Sequence, residues 1–320
     1  MAKKKLSRKK LNQIIGTIIT IIVIVLSAYE AYQEYKAKEA SANVVEAQYT
    51  TGTSETIDLN NDKLNMVFFY VGQADCSLIK FRNQTMLIDA GNNEDGKNIA
   101  NYLKEIGVTK INYLIGTHAD EDHIGGLDDI VRELDIEKIY MPKVGSEVVN
   151  YKNVVKEAAK KNLIVETPKV GDKFNISDAS CEVLAMMDKK GVSDNNSSIV
   201  IQMNYGITKY LFMGDAEKEV ENSRKWEKVD VLKVGHHGSA TSTSQTFLDQ
   251  VKPHYSVVEV GKDNSYRLPN NNTIKRLEES GTTILRTDIN QSSFLMTSDG
   301  NTIETNEVKV NLDGNKSIDK

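Results

Sequence analysis

The chain has 320 residues, of which 39% are hydrophobic and 27% are charged, an ordinary globular composition that allows one large domain or two small ones. Six of the 40 basic residues lie among the first ten, so the remainder carries 34 basic against 45 acidic side chains, a net charge of −11. A body this acidic is not typical of proteins that bind along a nucleic-acid backbone. A metal centre can reverse the sign of this charge locally.

The N-terminal segment has the composition of a membrane anchor. Residues 1–10 are basic, and residues 11–32 contain a nearly unbroken apolar run. Tyr29, Tyr32 and Tyr35 follow that run at helical spacing. At about 1.5 Å per residue this segment crosses the roughly 30 Å hydrocarbon layer. By the positive-inside rule we expect a single-pass protein of the cell membrane, with a cytoplasmic N-terminus and an extracellular body. A cleaved signal peptide and a buried core helix are the alternatives.

The rest of the chain divides into a polar stretch and a folded body. Residues 33–62 are polar and rich in small side chains, and they predict a stalk. Residues 63–320 alternate short apolar strands with helical patterns, which predicts an α/β layered domain with its chemistry in loops at strand ends. Cys76 and Cys181 lie in apolar stretches and are interpreted as buried small hydrophobes, although a disulfide between them stays open.

Four potential metal ligands fall within six residues, in a loop that follows a predicted buried strand. His118 and Asp120 are two residues apart and can chelate one ion, while the adjacent Asp122 and His123 can turn toward a second. Imidazole and carboxylate groups suit Zn²⁺, Mn²⁺ or Fe²⁺. Since two ions need about six or more ligands, others must come from elsewhere in the chain.

Two later loops offer these further ligands. Four of the five histidines concentrate in two glycine-flanked loops, and the second of these contains His236 and His237. One ring of this pair can bind a metal while the other donates a proton. Asp215 follows an apolar strand; alone it would be interpreted as a turn or helix N-cap, but beside a two-metal loop we interpret it as a bridging carboxylate. The fifth histidine, His254, is predicted to be a surface or capping residue.

These motifs resemble the metallo-β-lactamase superfamily over most of residues 64–300. Four segments match the superfamily's signature, early acidic element, bridging aspartate and late histidine: His118-x-Asp120-x-Asp122-His123, Leu87–Gly91, Asp215, and His236 or His237. Within the superfamily the chain is most similar to the metallohydrolase domain of ComEC-type competence DNA-internalisation proteins. That similarity is carried by Val71–Asp75, Asp120 in place of a second histidine, Asn195–Ser198, and His236–Ser239 with Thr241 and Ser242.

The resemblance implies a four-layer αββα sandwich and a hydrolase with two divalent metal ions, Zn or Mn. We expect the ions to lie about 3.5 Å apart and to activate a bridging water. The expected ligands are His118 and Asp120 for the first ion, Asp122, His123 and His236 for the second, and Asp215 as the bridge. Asp122 and His237 are the predicted catalytic residues, with His237 protonating the leaving group.

Two departures from the family pattern weaken the first metal site. No histidine lies between His123 and His236, and Asn196 can supply a weak oxygen ligand at most. Leu268 stands where competence-type members carry a histidine within an Asn-x-Tyr-Gly-His-Pro segment. We therefore expect the site served by His118 to be weaker, richer in oxygen ligands, or occupied by Mn²⁺.

The predicted function is that of a membrane-anchored extracytoplasmic hydrolase, acting as a phosphodiesterase or nuclease on a small phosphodiester or a nucleic acid. β-Lactam hydrolysis fits less well, because the full histidine set is missing. The alternative is a catalytically weak tethered module that binds a ligand or partner. The missing histidines favour this alternative a little, and the otherwise intact cluster opposes it. No protein partner is evident from the sequence.

Overall fold

The computed structural model describes residues 9–10, 20, 22–33, 36, 47–54 and 56–314. The chain divides into two compact units, Met1–Glu46 and Ala47–Lys320. In the first unit, residues 22–33 form a helix, α1, whose apolar side chains are exposed. Most of the predicted basic tail and anchor lies outside the described residues, and among those described no helix combines the length and apolarity that a bilayer crossing requires.

The second unit is built on two β-sheets. Its strands are β1 (Gln48–Ser54), β2 (Leu64–Phe68), β3 (Ser77–Phe81), β4 (Gln84–Ile88), β5 (Lys110–Ile115), β6 (Asp135–Tyr140), β7 (Val165–Glu166), β8 (Lys173–Ile176), β9 (Ala179–Ala185), β10 (Val200–Tyr205), β11 (Thr208–Phe212), β12 (Val231–Lys233), β13 (Tyr255–Val258), β14 (Thr283–Arg286), β15 (Ser293–Ser298) and β16 (Thr302–Val308). One sheet has the order β1-β16-β15-β2-β3-β4-β5-β6-β7, and the other β14-β13-β12-β11-β10-β9-β8.

Helices pack on the outer faces of both sheets, and shorter helices lie in the connecting loops. They are α2 (Gly96–Glu105), α3 (Glu121–Ile124), α4 (Leu127–Glu133), α5 (Val149–Lys160), α6 (Lys218–Glu221), α7 (Gln245–Val251), α8 (Asn271–Glu279) and α9 (Thr287–Asn290). Short 3₁₀ turns form at Asn195–Ser197 and Gly235–Gly238.

Three separate apolar clusters show that the layers are helix, sheet, sheet and helix. The first lies between α2, α4, α5 and the nine-stranded sheet, the second between the two sheets, and the third between the seven-stranded sheet and α7 and α8. Successive side chains of a strand point to opposite faces, so Val67 belongs to the first cluster and Phe68 to the second. The predicted αββα sandwich is confirmed.

The cysteines are free and fully buried. Cys76 belongs to the cluster beneath the helices and Cys181 to the cluster between the sheets, so no disulfide joins them. Burial raises the pKa of both thiols, which fits their interpretation as small hydrophobes.

Strand β1 lies inside the segment that we expected to be a stalk. It pairs in parallel with β16, from Gln48 opposite Thr302 to Ser54 opposite Val308. Its sequence is polar and lacks hydrophobic alternation, so no local pattern distinguishes it from a linker. Tyr49 stacks on the exposed His254 ring, with centroids 3.5 Å apart, which ties the strand to the body. The folded body therefore begins before residue 63.

The loops that contain the predicted site residues follow the carboxyl ends of parallel strands in both sheets. In the first sheet β4, β5 and β6 run in parallel, and in the second β11, β12 and β13 run in parallel. The carboxyl ends of β4 and β5 lead to Asp89 and to the loop beginning at His118, while those of β11 and β12 lead to Asp215 and His236. The functional loops thus meet where the two sheets face each other.

Candidate metal centre

Backbone hydrogen bonds fix the loop that contains His118 to His123. The N–H of Asp75 donates to the carbonyl of Asp122 at 3.0 Å, and the N–H of Ala90 donates to the carbonyl of His123 at 2.9 Å. A Cβ on Gly126 would lie 2.2 Å from the Ala90 carbonyl oxygen, so only glycine permits this close approach. The loop is therefore held against neighbouring strand ends before any ligand binds.

Asp215 lies at the centre of the cluster. Its Oδ1 is 3.2 Å from Nε2 of His123. Its Oδ2 is 3.6 Å from Nε2 of His236, 3.7 Å from Nε2 of His237 and 3.9 Å from Nε2 of His118. All four loop histidines thus turn Nε2 toward one carboxylate, an arrangement that fits a bridging role.

One half of the cluster is formed by Asp122, His123 and His237. Nε2 of His237 lies 3.3 Å from Oδ2 of Asp122, and Nε2 of His123 lies 4.0 Å from Oδ1 of Asp122. The three donor atoms lie within 4.8 Å of one another, close enough for one ion. The sequence interpretation placed His236 here and gave His237 the proton transfer, but the structure brings His237 into this group.

The other half contains His118 and Asp120, whose Nε2 and Oδ2 atoms are 3.6 Å apart. His118 is fully buried, while the Asp120 side chain is 44% exposed. Behind His118, hydroxyl oxygens of Thr117 and Ser198 lie 3.1 Å and 3.4 Å from Nδ1. Asn196 cannot readily serve as a ligand, because its Oδ1 already accepts from the backbone N–H of Glu217 at 3.0 Å. This half has fewer donors than the half formed by Asp122, His123 and His237.

His236 sits at the rim, with its side chain 24% exposed. Its Nδ1 lies 3.2 Å from the Thr241 hydroxyl and 3.4 Å from a Glu217 carboxylate oxygen, contacts that orient the ring. His236 and His237 have φ values of 51° and 48°, a left-handed conformation that non-glycine residues adopt at a cost of roughly 1–3 kcal/mol each. This backbone turn sends the two adjacent rings to different parts of the cluster.

Asp89 stands directly behind His123. It accepts hydrogen bonds from the N–H and O–H of Thr117, both at 2.8 Å, and lies 2.8 Å from Nδ1 of His123. A carboxylate in this position makes Nδ1 the protonated nitrogen and leaves Nε2 free for a metal. The sequence singled out Asp89 only through the family element, without a role.

A second buried network stands behind His237. Its Nδ1 is 2.9 Å from the Glu259 carbonyl oxygen and 3.1 Å from Oδ1 of Asp75. Nζ of Lys233 lies 2.7 Å from Oδ2 of Asp75. Sequence reasoning missed Lys233 and Glu259, although each is a charged residue within an otherwise apolar strand end, a signal that could have found them.

Buried polar atoms without a hydrogen-bond partner concentrate in this cluster. Among the described residues, seven buried side-chain nitrogen or oxygen atoms lack a hydrogen-bond partner. Four of them face the centre of this cluster: Nε2 of His118, His123 and His237, and Oδ1 of Asp215. A fifth, Oδ1 of Asp75, lies behind His237, 3.1 Å from its Nδ1. Each unsatisfied buried group costs about 1–3 kcal/mol. Bound cations would satisfy the four atoms that face the centre, and imidazole with carboxylate is a donor set for Zn²⁺ or Mn²⁺.

The electrostatics of the cluster agree with this. Burial alone would lower the pKa of His123 and His237, but Asp215 and neighbouring carboxylates raise both well above the ordinary value. Burial would raise the pKa of Asp215, yet the surrounding histidines hold it well below its usual range. Protons therefore compete for the nitrogens that a metal would use, and metal binding should release them.

A cleft of about 520 Å³ opens beside Asp120 and Asp122. Its lining includes the amide side chains of Gln73 and Asn150 and the exposed ring of Tyr266, and no lysine or arginine. A larger cavity of about 700 Å³ lies elsewhere and shares none of the cluster residues. The smaller cleft reaches the cluster at Asp120 and Asp122.

Comparison with known proteins places the chain in a family. The profile of the Metallo-beta-lactamase superfamily matches residues 69–261, more than half of the chain, and this segment contains the whole cluster. The chain therefore belongs to the metallo-β-lactamase superfamily. The predicted membership is confirmed.

Its similar relatives include competence proteins, which confirms the predicted competence-type relationship. ComE operon protein 3 of Bacillus subtilis is 34% identical over 193 residues, 59% of this chain and 25% of that protein. Competence protein ComA of Neisseria gonorrhoeae is 27% identical over 224 residues, 68% of this chain and 30% of that protein. The chain thus spans less than a third of these relatives. The metallo-beta-lactamase fold protein YhfI of Bacillus subtilis shares the fold, with a TM-score of 0.52 at 10% identity over 73% of this chain and 100% of that chain.

Proposed function

We propose that this metallo-β-lactamase-fold protein is a phosphodiesterase that uses two divalent ions, Zn²⁺ or Mn²⁺. The observation that carries the proposal is the convergence of four unpartnered buried donor atoms, three imidazole nitrogens and one Asp215 oxygen, on one cluster at the sheet junction. When bound there, divalent ions supply Lewis acidity that activates water and stabilises negative charge on phosphoryl oxygens.

The residues divide into two ligand sets around Asp215. Asp122, His123 and His237 hold one ion, and His118 and Asp120 hold the other. His237 takes the place first given to His236, because its buried Nε2 has no hydrogen-bond partner and lies 3.3 Å from Asp122.

His236 is better suited to protonate the leaving group. Its ring is partly exposed and is oriented through Nδ1 by Thr241 and Glu217. Its Nε2 points toward Asp215 from the solvent side, and the ring belongs to none of the groups of three donors found among the described residues. A general acid placed this way contributes about 10²–10⁴-fold to the rate.

The cleft favours a small substrate with one phosphodiester. Asp120, Glu121, Asp122 and Asp313 line it, and no basic side chain is present to neutralise a chain of phosphates. A nuclease is the second candidate, and the similarity to competence proteins favours it. A tethered binding module with little activity is the third.

The test uses the purified full chain, loaded with Zn²⁺ or Mn²⁺, on a chromogenic bis-aryl phosphodiester and on single-stranded DNA. We expect chelator-sensitive cleavage of the phosphodiester with little DNA hydrolysis. Preferential cleavage of DNA would support the nuclease instead. If the metal-loaded chain is inactive on phosphodiesters, phosphomonoesters, thioesters and lactams alike, the binding module remains and the hydrolase proposal fails.

We further propose that residues 11–32 anchor the protein in the cell membrane, with residues 1–10 inside and the hydrolase outside. The lopsided distribution of basic residues in the sequence supports this. Protease added to intact cells should remove the body, and protection of the body would reverse the topology.

A further inference from the structure

Lys233 is buried beneath the metal centre. Its side chain is 3% exposed, and within the described part of the chain no other lysine or arginine is buried. Its ammonium lies 2.7 Å from Oδ2 of Asp75 and 3.7 Å from Oε2 of Glu259. It also donates a hydrogen bond to the Val234 carbonyl at 3.1 Å. A buried ammonium is tolerated only where such partners surround it.

Asp75 joins Lys233 to His237. Its other oxygen, Oδ1, lies 3.1 Å from Nδ1 of His237, on the side of the ring opposite the metal ligands. With Nδ1 facing Asp75 and the Glu259 carbonyl, Nε2 is left to face Asp122 at 3.3 Å. Lys233 therefore reaches the proposed metal ligand through one intervening carboxylate.

The same network braces the two sheets against each other. Asp75 precedes β3 of the nine-stranded sheet, while Lys233 ends β12 of the seven-stranded sheet. Glu259 accepts from the N–H of Cys76 at 3.2 Å and from the O–H of Ser77 at 3.0 Å. Lys233 is thus placed where the two sheets meet, behind His237.

Asp75 lies close enough to the cluster to compete for an ion. Asp75, Asp215 and His237 each offer a donor atom within 4.8 Å of the others. Without the ammonium, the Asp75 carboxylate would be free to turn toward Asp215 and compete for the ion.

Building on the proposed two-metal function, we propose that Lys233 is a positioning residue for the ion held by His237. It fixes Asp75 behind the imidazole, so that Asp75 orients the ring and stays outside the ligand set. Removing an outer partner of this kind lowers metal affinity by about 10–100-fold.

The test compares full-length wild type with Lys233→Met by Zn²⁺ competition against a chromogenic chelator and by the visible absorption of bound Co²⁺. We expect wild type to bind two ions, and Lys233→Met to bind one of them about 10–100-fold more weakly with an altered Co²⁺ spectrum. The double variant Lys233→Met/Asp75→Asn removes both charges, so it can be used if the single variant fails to fold. It should show the same loss of affinity for one of the two ions.

The matched control is Lys209→Met, which breaks the exposed 2.7 Å pair between Lys209 and Glu227 and should leave both affinities unchanged. Wild-type affinity and an unchanged Co²⁺ spectrum in the double variant would overturn the role of Lys233 and leave the proposed function standing. Failure of wild type to bind any ion would overturn both.

Discussion

The two halves of the metal cluster are supported in different ways. In the half formed by Asp122, His123 and His237, Nδ1 of each imidazole faces a buried carboxylate, Asp89 or Asp75. In the other half, His118 is backed only by hydroxyl groups, and Asp120 is 44% exposed. Carboxylates behind a histidine fix its orientation and strengthen it as a ligand. One ion should therefore bind more tightly than the other.

Asp122→Asn should have the largest effect, because it removes a ligand oxygen from the better supported half. We expect kcat/KM for the bis-aryl phosphodiester to fall by more than about 100-fold, beyond the range for losing an outer partner. Circular dichroism should match wild type, since the side chain lies at the cleft. Near-full activity of this variant would show that the site is wrongly assigned.

The adjacent histidines provide a sharper comparison. His237→Ala should lose about one ion per chain, because it removes a buried ligand. His236→Ala should keep both ions while kcat falls by about 10²–10⁴-fold, the contribution of a general acid. Metal analysis and steady-state kinetics on the same samples measure both properties. The reverse pattern would restore His236 as the ligand and His237 as the acid.

Asp89→Asn should reduce the difference in metal affinity between the two halves of the cluster. It removes the carboxylate behind His123, so the tighter ion should weaken by about 10–100-fold while the weaker ion is less affected. Stepwise chelator titration of wild type should show two separate steps of ion release. In the variant, the two steps should lie closer to each other. Equal weakening of both steps would indicate a general loss of structure instead.

Glu259→Gln should have the smallest effect, visible as a pH dependence of stability. Burial and the charge of Asp75 raise the pKa of Glu259 to about 8 from the ordinary 4.5. The native state keeps this proton where the unfolded state loses it, so the contribution of Glu259 to stability is full below pH 4.5 and is lost as the pH rises through about 8.

In chelator-treated protein, urea unfolding at several pH values measures this contribution. The free energy of unfolding of wild type, relative to Glu259→Gln, should decline between about pH 5 and pH 8. A difference that does not change with pH would mean that Glu259 titrates normally.

The sequence predicted the layered fold and the cluster because both leave local signals. Apolar strands show as short runs, and ligands concentrated at strand ends identify loops such as that from His118 to His123. The sequence could not show which of His236 and His237 is the ligand, because the direction of each ring depends on a left-handed backbone turn at both residues. Asp75 and Lys233 lie far apart in sequence, and their contact arises only when the sheets pack. Strand β1 was not predicted, because its residues are polar and form a strand only through pairing with β16.

Metal content tests the central claim most directly. Full-length protein loaded with Zn²⁺ or Mn²⁺ and freed of excess ions should hold two ions per chain, one released by chelator before the other. Cleavage of the bis-aryl phosphodiester should be lost as the ions are removed. A folded chain that retains no stoichiometric ion, or cleaves the diester equally well after chelation, would contradict the two-metal centre.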